Sequence, residues 1–305
     1  MIRTLRSLVE PSDLAGLVAS AYRVEVTGCV LLRSLVNDVY RIDTAGRSLI
    51  FKLYRTGHRT LDEVAWEVEL AAALHGVVGR GLPLADGRPA GELLAAEGPR
   101  PYSMWEWAPG SRPVPPFDDA LYRRVGAATA WFHAAADAAD LRPRRFDVEE
   151  ALGWPYEELL GRLEPADRKA VAELVATARR RLSETQLDRG VCHGDVTLDN
   201  LHVDGDRIVL YDLDRAGNGW RAADLTGVAA TPHWPAFLAG YRSVRSFGAA
   251  DLSALPWLDV LGRIGNLHFH LVDKPALRGT ESVREGWAEH DLERLRAAAR
   301  SADVR

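Results

Sequence analysis

Cysteine is scarce in this chain: two in 305 residues, Cys29 and Cys192, in unrelated segments. Two isolated cysteines support neither a disulfide framework nor a metal-binding cluster. Each adjoins a valine (Val30, Val191) and reads as a small buried hydrophobe, so a reducing, cytoplasmic setting is the expectation. Long apolar runs are missing as well. No window approaches about 18 uninterrupted apolar residues, and no membrane span or membrane partner is expected. The first six residues lack the apolar stretch and cleavage site of a secretory leader. There is no basic stripe; 38 Lys and Arg stand against 43 Asp and Glu, a net charge of −5, so nucleic acid is not expected as a partner. No internal repeat is present.

What remains is the composition of a soluble globular enzyme, 47% apolar and 27% charged, long enough for two lobes with a core each. Strand signals crowd the first hundred residues. Val24–Leu32 is β-branched and apolar, Val39–Ile42 alternates, and a turn at Asp43–Gly46 leads into Ser48–Tyr54. Leu61–Leu74 carries apolar residues at helical spacing and stops before Gly76. Pro83–Pro101 reads as a strand pair with loose turns. After Pro109-Gly110 the character changes. Helices are predicted over Ala120–Ala139, Pro165–Leu187, Ala222–Val228, Ala236–Val244, Leu255–Val272 and Glu281–Arg300. Strands first and helices afterwards make an α+β chain, with an N-terminal part at 1–108 and a C-terminal part at 109–305.

The chemistry concentrates in His193-Gly194-Asp195-Val196-Thr197-Leu198-Asp199-Asn200, followed by Asp212 at the end of the run Ile208–Tyr211. ATP-dependent phosphoryl transfer needs a carboxylate to take a proton from the attacking hydroxyl. It also needs an amide oxygen and a second carboxylate to hold Mg²⁺. Asp195 suits the first task, Asn200 and Asp212 the second. Gly205-Asp206 supplies the hairpin turn between the two short strands that place them. Lys52 lies in the apolar strand Leu49–Tyr54, where a lone lysine is costly unless edge-facing or paired. Fifteen residues on, Glu67 falls in the following helix, the pairing that sets a lysine on nucleotide α- and β-phosphates. Glu63 and Glu69 are rivals, and helix register favours Glu67.

These residues resemble those of the aminoglycoside phosphotransferase and choline kinase family, which has a bilobal protein-kinase-like fold. Within it, Lys52-Leu53-Tyr54-Arg55 and Asp212-Leu213-Asp214 look closest to the bacterial stress-response kinase and type II homoserine kinase branch. The resemblance implies an N-lobe sheet with a helix, a mostly helical C-lobe, and ATP and Mg²⁺ as cofactors. Asn37 in Asn37-Asp38-Val39-Tyr40 would belong to the nucleotide loop. Trp105–Gly110 would be the inter-lobe hinge, with backbone groups of Glu106 and Ala108 at the adenine edge. Asp224 would brace the catalytic loop. The Gly-x-Gly-x-x-Gly of protein kinases is absent, and Leu32–Asn37 stands in its place. Asp214 replaces a glycine; it touches the second metal or caps the turn, and both readings stay open.

The acceptor is expected among the C-terminal helices, near Asp195. Trp154, Trp220, Trp234 and Trp257 are candidates to hold a planar or ammonium-bearing acceptor, against the ordinary reading of core packing. His268 is a further candidate; His268 and His270, two apart on a helix, do not share a face and make no metal pair. His193 reads as a loop histidine bonded to backbone. The leading expectation is phosphate transfer to a hydroxyl of a small molecule, in antibiotic resistance, biosynthesis or metabolism, by a monomer or homodimer. The alternatives are a Ser/Thr kinase acting on a protein or precursor peptide, and an inactive nucleotide-binding scaffold.

Overall fold

The structure, a computed structural model, describes residues 4–139, 141 and 156–302. Trp154 lies outside them. The fold is α+β and bilobal: an antiparallel sheet with a helix on the N-terminal side and mostly helices on the C-terminal side. No helix among the described residues is long and apolar enough to cross a membrane.

The sheet starts as a meander of β1 (Val26–Ser34), β2 (Asp38–Thr44) and β3 (Ser48–Leu53). It continues through β4 (Gly81–Leu82), β5 (Gly91–Ala95) and β6 (Gly98–Glu106), in the order β1-β2-β3-β6-β4 with β5 also on β6. Register pairs Tyr40 with Phe51 and Val39 with Lys52, and sets Lys52 opposite Ser103. Side chains alternate across a strand, so Tyr40, Ile42, Leu49, Phe51 and Leu53 share one face and Lys52 falls on the other. The apolar face is covered by helix α1 (Pro11–Tyr22) through Leu14, Val18 and Tyr22. The strand-centred reading of the first hundred residues did not include α1. Its stripe is four-spaced and Pro11 opens it, but Ser12, Gly16 and Ser20 dilute the periodicity.

At the edge of this core lies a buried ion pair. Arg100 is 1% exposed, and its Nη2 lies 2.6 Å from Asp38 Oδ2. Arg100 also donates to the carbonyls of Tyr54 at 2.9 Å and Ser7 at 3.0 Å. Helix α2 (Leu61–Ala73) begins with a capping box in which the Thr60 and Glu63 side chains and backbones bond reciprocally.

The C-terminal helices are α3 (Asp119–Ala138), α4 (Pro165–Ser183), α5 (Trp234–Arg242), α6 (Ala249–His268) and α7 (Trp287–Ala302). Helix α4 stops at Ser183 where Leu187 is expected, α5 lies two residues earlier than Ala236–Val244, and three segments depart further. The helix expected at Leu255–Val272 starts at Ala249, gives way after His268 and widens to π winding over Phe269–Asp273. Ala222–Val228 is a 3₁₀ turn, Arg221–Leu225, running into one α turn, Thr226–Ala229. The last helix begins at Trp287, because Gly286 takes φ 83° and separates it from a 3₁₀ turn at Thr280–Glu285. Between the helices lie the short strands β7 (Arg189–Cys192), β8 (Leu201–Asp204), β9 (Arg207–Leu210) and β10 (Gly217–Trp220).

The chain divides into two compact units. One is built chiefly from Met1–Val114 and Leu198–Asp214. The other is built chiefly from Pro115–Asp137, the α4 segment running to Thr197, and Arg215–Arg305.

Candidate active site

Within the first unit, Lys52 is the centre of a buried charge cluster. Its Nζ lies 2.9 Å from Asp212 Oδ1, 3.4 Å from Glu67 Oε1 and 3.9 Å from Asp214 Oδ1. Of the three candidate glutamates only Glu67 turns to the lysine: Glu63 is engaged in the capping box and Glu69 is exposed. The hydroxyl of Tyr54, the residue just after the strand that carries Lys52, donates to Glu67 Oε2 at 2.8 Å and fixes the carboxylate. Burial opposes the Lys52 charge, but Asp212, Asp214 and Glu67 outweigh it and hold the ammonium well above its ordinary range. Burial also pushes the Glu67 carboxyl up, against the pull of Lys52.

Asp212 follows β9 with φ 64°, a left-handed conformation uncommon outside glycine. Burial would raise its carboxyl, but Lys52 holds it below the usual range. Arg33, in the segment that stands where a glycine-rich loop was absent, reaches Asp212 Oδ2 at 3.4 Å. Asp214 is gathered in from the sheet side. Asn37 Nδ2 donates to its Oδ2 at 2.9 Å, Arg59 Nη2 donates to its carbonyl at 2.9 Å, and His58 Nε2 lies 3.7 Å from Oδ2. Asn200 closes the 3₁₀ turn Leu198–Asn200, and its carbonyl accepts from Tyr211 N at 3.0 Å.

A cavity of about 410 Å³ opens among these groups. Its lining includes the polar Lys52, Glu67, Asn200 and Asp212, the apolar Leu32, Val39, Ile50, Trp105 and Leu213, and Glu106 and Ala108. An apolar slot beside a charged end suits a purine joined to phosphates. The Ala108 carbonyl already accepts from His202 Nδ1 at 2.9 Å, and the Glu106 N–H donates to the Arg80 carbonyl at 2.8 Å. The Ala108 N–H and the Glu106 carbonyl make none of these bonds.

The second unit holds Asp195. Its loop hangs on Asp224, which accepts from the N–H groups of His193 at 2.7 Å and Gly194 at 2.8 Å, and from His133 Nε2 at 2.9 Å. His133 is bonded through its other nitrogen to the Tyr241 hydroxyl at 2.9 Å. His193 is fully buried, and its Nδ1 accepts from Asp195 N at 3.3 Å. Gly194 takes φ 80°, and a Cβ there would collide with the Arg215 carbonyl, so the backbone passes where only glycine fits. Burial would raise the Asp224 carboxyl, but the His133 hydrogen bond and charge and the His193 N–H hold it below the usual range. Asp224→Asn is expected to cost about 1.5–3 kcal/mol, read as a lower urea midpoint at neutral pH. A carboxyl depressed on folding contributes fully above its unfolded value and loses the contribution as pH falls through the folded one. The gap between variant and parent should therefore begin to close below about pH 3.9.

A cavity of about 270 Å³ adjoins Asp195 and includes Trp220. It does not include Trp234 or His268. Trp234 stacks on Phe237 at 6.0 Å between ring centres. His268 lies 3.1 Å from Asp273 Oδ2 and 3.4 Å from Glu158 Oε2. Trp257 lines a separate cavity with residues of α4 and α7. Tyr54, Arg33, His58 and Arg59 had not been singled out from sequence. Their one signal was position, beside Lys52 or in the segments flanking β2 and β3.

Residues 30–258 match the model of the phosphotransferase enzyme family. The chain belongs to that family. It is therefore an enzyme of phosphate transfer, and the matched span contains Lys52, Glu67, Asp195, Asn200, Asp212 and Asp224. An uncharacterized protein of Deinococcus radiodurans is 38% identical over 283 residues, covering 83% of this chain and 79% of its own length. A homoserine kinase of Rhizobium johnstonii is 31% identical over 202 residues, 61% of this chain and 57% of that protein. Among solved structures, an amicoumacin kinase in complex with AMP-PNP, Ca²⁺ and Ami superposes with a TM-score of 0.73 at 20% identity, covering 92% of this chain and 94% of that one. That likeness shows the shared fold of the phosphotransferases.

Proposed function

We propose that this phosphotransferase moves the γ-phosphate of ATP to a hydroxyl of a small molecule. The observation that carries the reading is the Lys52–Glu67–Asp212 cluster at the polar end of a nucleotide-sized cavity. In this reading Lys52 binds the α- and β-phosphates and Glu67, steadied by Tyr54, keeps it oriented. Asn37 and the backbone of Leu32–Asn37 cover the phosphates, and backbone groups of Glu106 and Ala108 meet the adenine edge. Asn200 and Asp212 offer oxygen donors only, the set a hard cation takes, and they are the residues that would hold Mg²⁺. When bound, Mg²⁺ neutralises charge on the β- and γ-phosphates. Asp214, tied to Asn37, Arg59 and His58, serves better as a clamp on the turn than as a ligand.

Asp195 orients the acceptor hydroxyl and takes its proton as the oxygen attacks the γ-phosphorus. The bond from that phosphorus to the β–γ bridging oxygen breaks, and ADP leaves. The homoserine kinase and the amicoumacin kinase above are both named for small-molecule acceptors, which supports the same class here.

Transfer of label from γ-³²P-ATP to a panel of amino alcohols, hydroxy amino acids, aminoglycosides and serine-containing peptides tests this. Label is expected in a small hydroxyl compound, and Lys52→Ala should lower kcat for that transfer by about 10²–10³-fold. Label found in peptides alone would overturn the reading.

A further inference from the structure

The segment that stands in place of a glycine-rich loop carries a cation, Arg33, and the sheet aims it. Near the end of β1 the pairing with β2 shifts. Leu31 faces Tyr40 and Arg33 faces Val39, with Leu32 in excess. Such a β-bulge turns a side chain to the other face of its strand. Without it, alternation from Leu31 would put Arg33 on the face of Tyr40 and Phe51, in the core. With it, Arg33 pairs with Val39, and Val39 pairs onward with Lys52. Residues paired across antiparallel strands share a face. Arg33, Val39 and Lys52 therefore form one row, and all three line the 410 Å³ cavity.

The loop behind Arg33 is pinned. The Ser34 hydroxyl donates to Asp38 Oδ1, Arg55 Nη2 donates to the Leu35 carbonyl, and the Leu35 N–H donates to the Asn37 carbonyl at 3.3 Å. Arg33 itself is held loosely. Its Nη2 lies 3.4 Å from Asp212 Oδ2, long for a hydrogen bond between charged groups, and its side chain is 61% exposed. Lys52 takes the other oxygen of the same carboxylate at 2.9 Å. Two cations thus meet on Asp212, one clamped by Glu67 and one free to swing from a fixed strand end. A cation that rests on a metal-binding carboxylate turns to the phosphates when the metal takes that oxygen.

Building on the reading of Lys52 and Asp212 as the phosphate end of an ATP site, we propose that Arg33 is a catalytic residue that binds the γ-phosphoryl group. Lys52 serves the α- and β-phosphates, and Arg33 reaches the cavity from the metal side, where the γ-phosphate is held. Its N–H groups donate to the phosphoryl oxygens and stabilise their charge during transfer, and no bond to Arg33 forms or breaks. A guanidinium is always charged and its fork matches phosphate oxygens.

Calorimetry with Mg²⁺ and either AMP-PNP or ADP tests the contact without any acceptor. Arg33→Gln should weaken AMP-PNP by about 10–100-fold and leave ADP as in the parent. It should also lower kcat with the accepted alcohol by about 10²–10³-fold. The residue is exposed and its strand pairing is made by the backbone, so the variant folds. Arg112→Gln is the control for charge alone. Arg112 lines the same cavity and is 58% exposed, but it rests on Asp199. Its removal should leave the preference for AMP-PNP unchanged. Equal weakening of AMP-PNP and ADP in Arg33→Gln, the same selective loss in Arg112→Gln, or a turnover close to that of the parent overturns the role of Arg33 and leaves the ATP site standing. A parent protein that binds neither nucleotide overturns both.

Discussion

Asp195→Asn is expected to reduce turnover by about 10²–10⁴-fold, the range for loss of a general base. The amide keeps the size of the side chain but cannot take the hydroxyl proton. The nucleotide cavity contains no part of Asp195, and its Lys52, Asn200 and Asp212 are untouched by the change. Binding of a non-hydrolysable ATP analogue should therefore stay as in the parent. The Asp224 bonds that hold the loop, from the His193 and Gly194 N–H groups, stay in place, so the fold should also stay intact. Steady-state rates with the accepted alcohol, set beside calorimetric nucleotide binding, give both halves of the result. A turnover close to that of the parent would remove Asp195 from the chemistry.

Asp38→Ala is expected to be the costliest single change to stability outside the site, about 3–5 kcal/mol. Asp38 is fully buried, and its carboxylate receives Arg100 Nη2 at 2.6 Å, Arg6 Nη2 at 2.9 Å and the Ser34 hydroxyl. Removing it takes the nearest carboxylate from the guanidinium of Arg100, which is 1% exposed and keeps only Glu97, at 3.6 Å, as an ionic partner among the described residues. The double variant Asp38→Ala/Arg100→Met should recover part of the loss, since an apolar pair is cheaper inside than a buried guanidinium that has lost its nearest carboxylate. Urea midpoints at constant m measure both. A loss below about 1 kcal/mol in Asp38→Ala would show that Arg100 finds solvent or another partner.

Much of the fold is written locally. The alternation in Val39–Ile42 and Leu49–Tyr54, the turn at Gly46 and the helical spacing after Leu61 each specify an element without help from distant residues. The elements that departed from expectation did so where tertiary surroundings or a single backbone conformation outweighed periodicity. Helix α1 has a thin stripe that acquires meaning only against Tyr40, Phe51 and Tyr102 of the sheet. The last helix waits for Gly286 to end the turn before it.

The site divides along the same line. A basic residue in an apolar strand, a glutamate at helical register and the Asp–Asn–Asp spacing are properties of short segments, so Lys52, Glu67, Asp195, Asn200 and Asp212 could be singled out by inspection. Which groups surround them could not. Asp212 lies 160 residues from Lys52 in the chain yet 2.9 Å from it in space. Asn37, His58 and Arg59 converge on Asp214 from two separate loops. By itself, then, the sequence determined the class of the fold and the phosphate chemistry, because both rest on residue type and local spacing. Only the tertiary structure decided what surrounds Asp214 and which residues share a cavity with Asp195, because a cavity exists only once distant segments pack together.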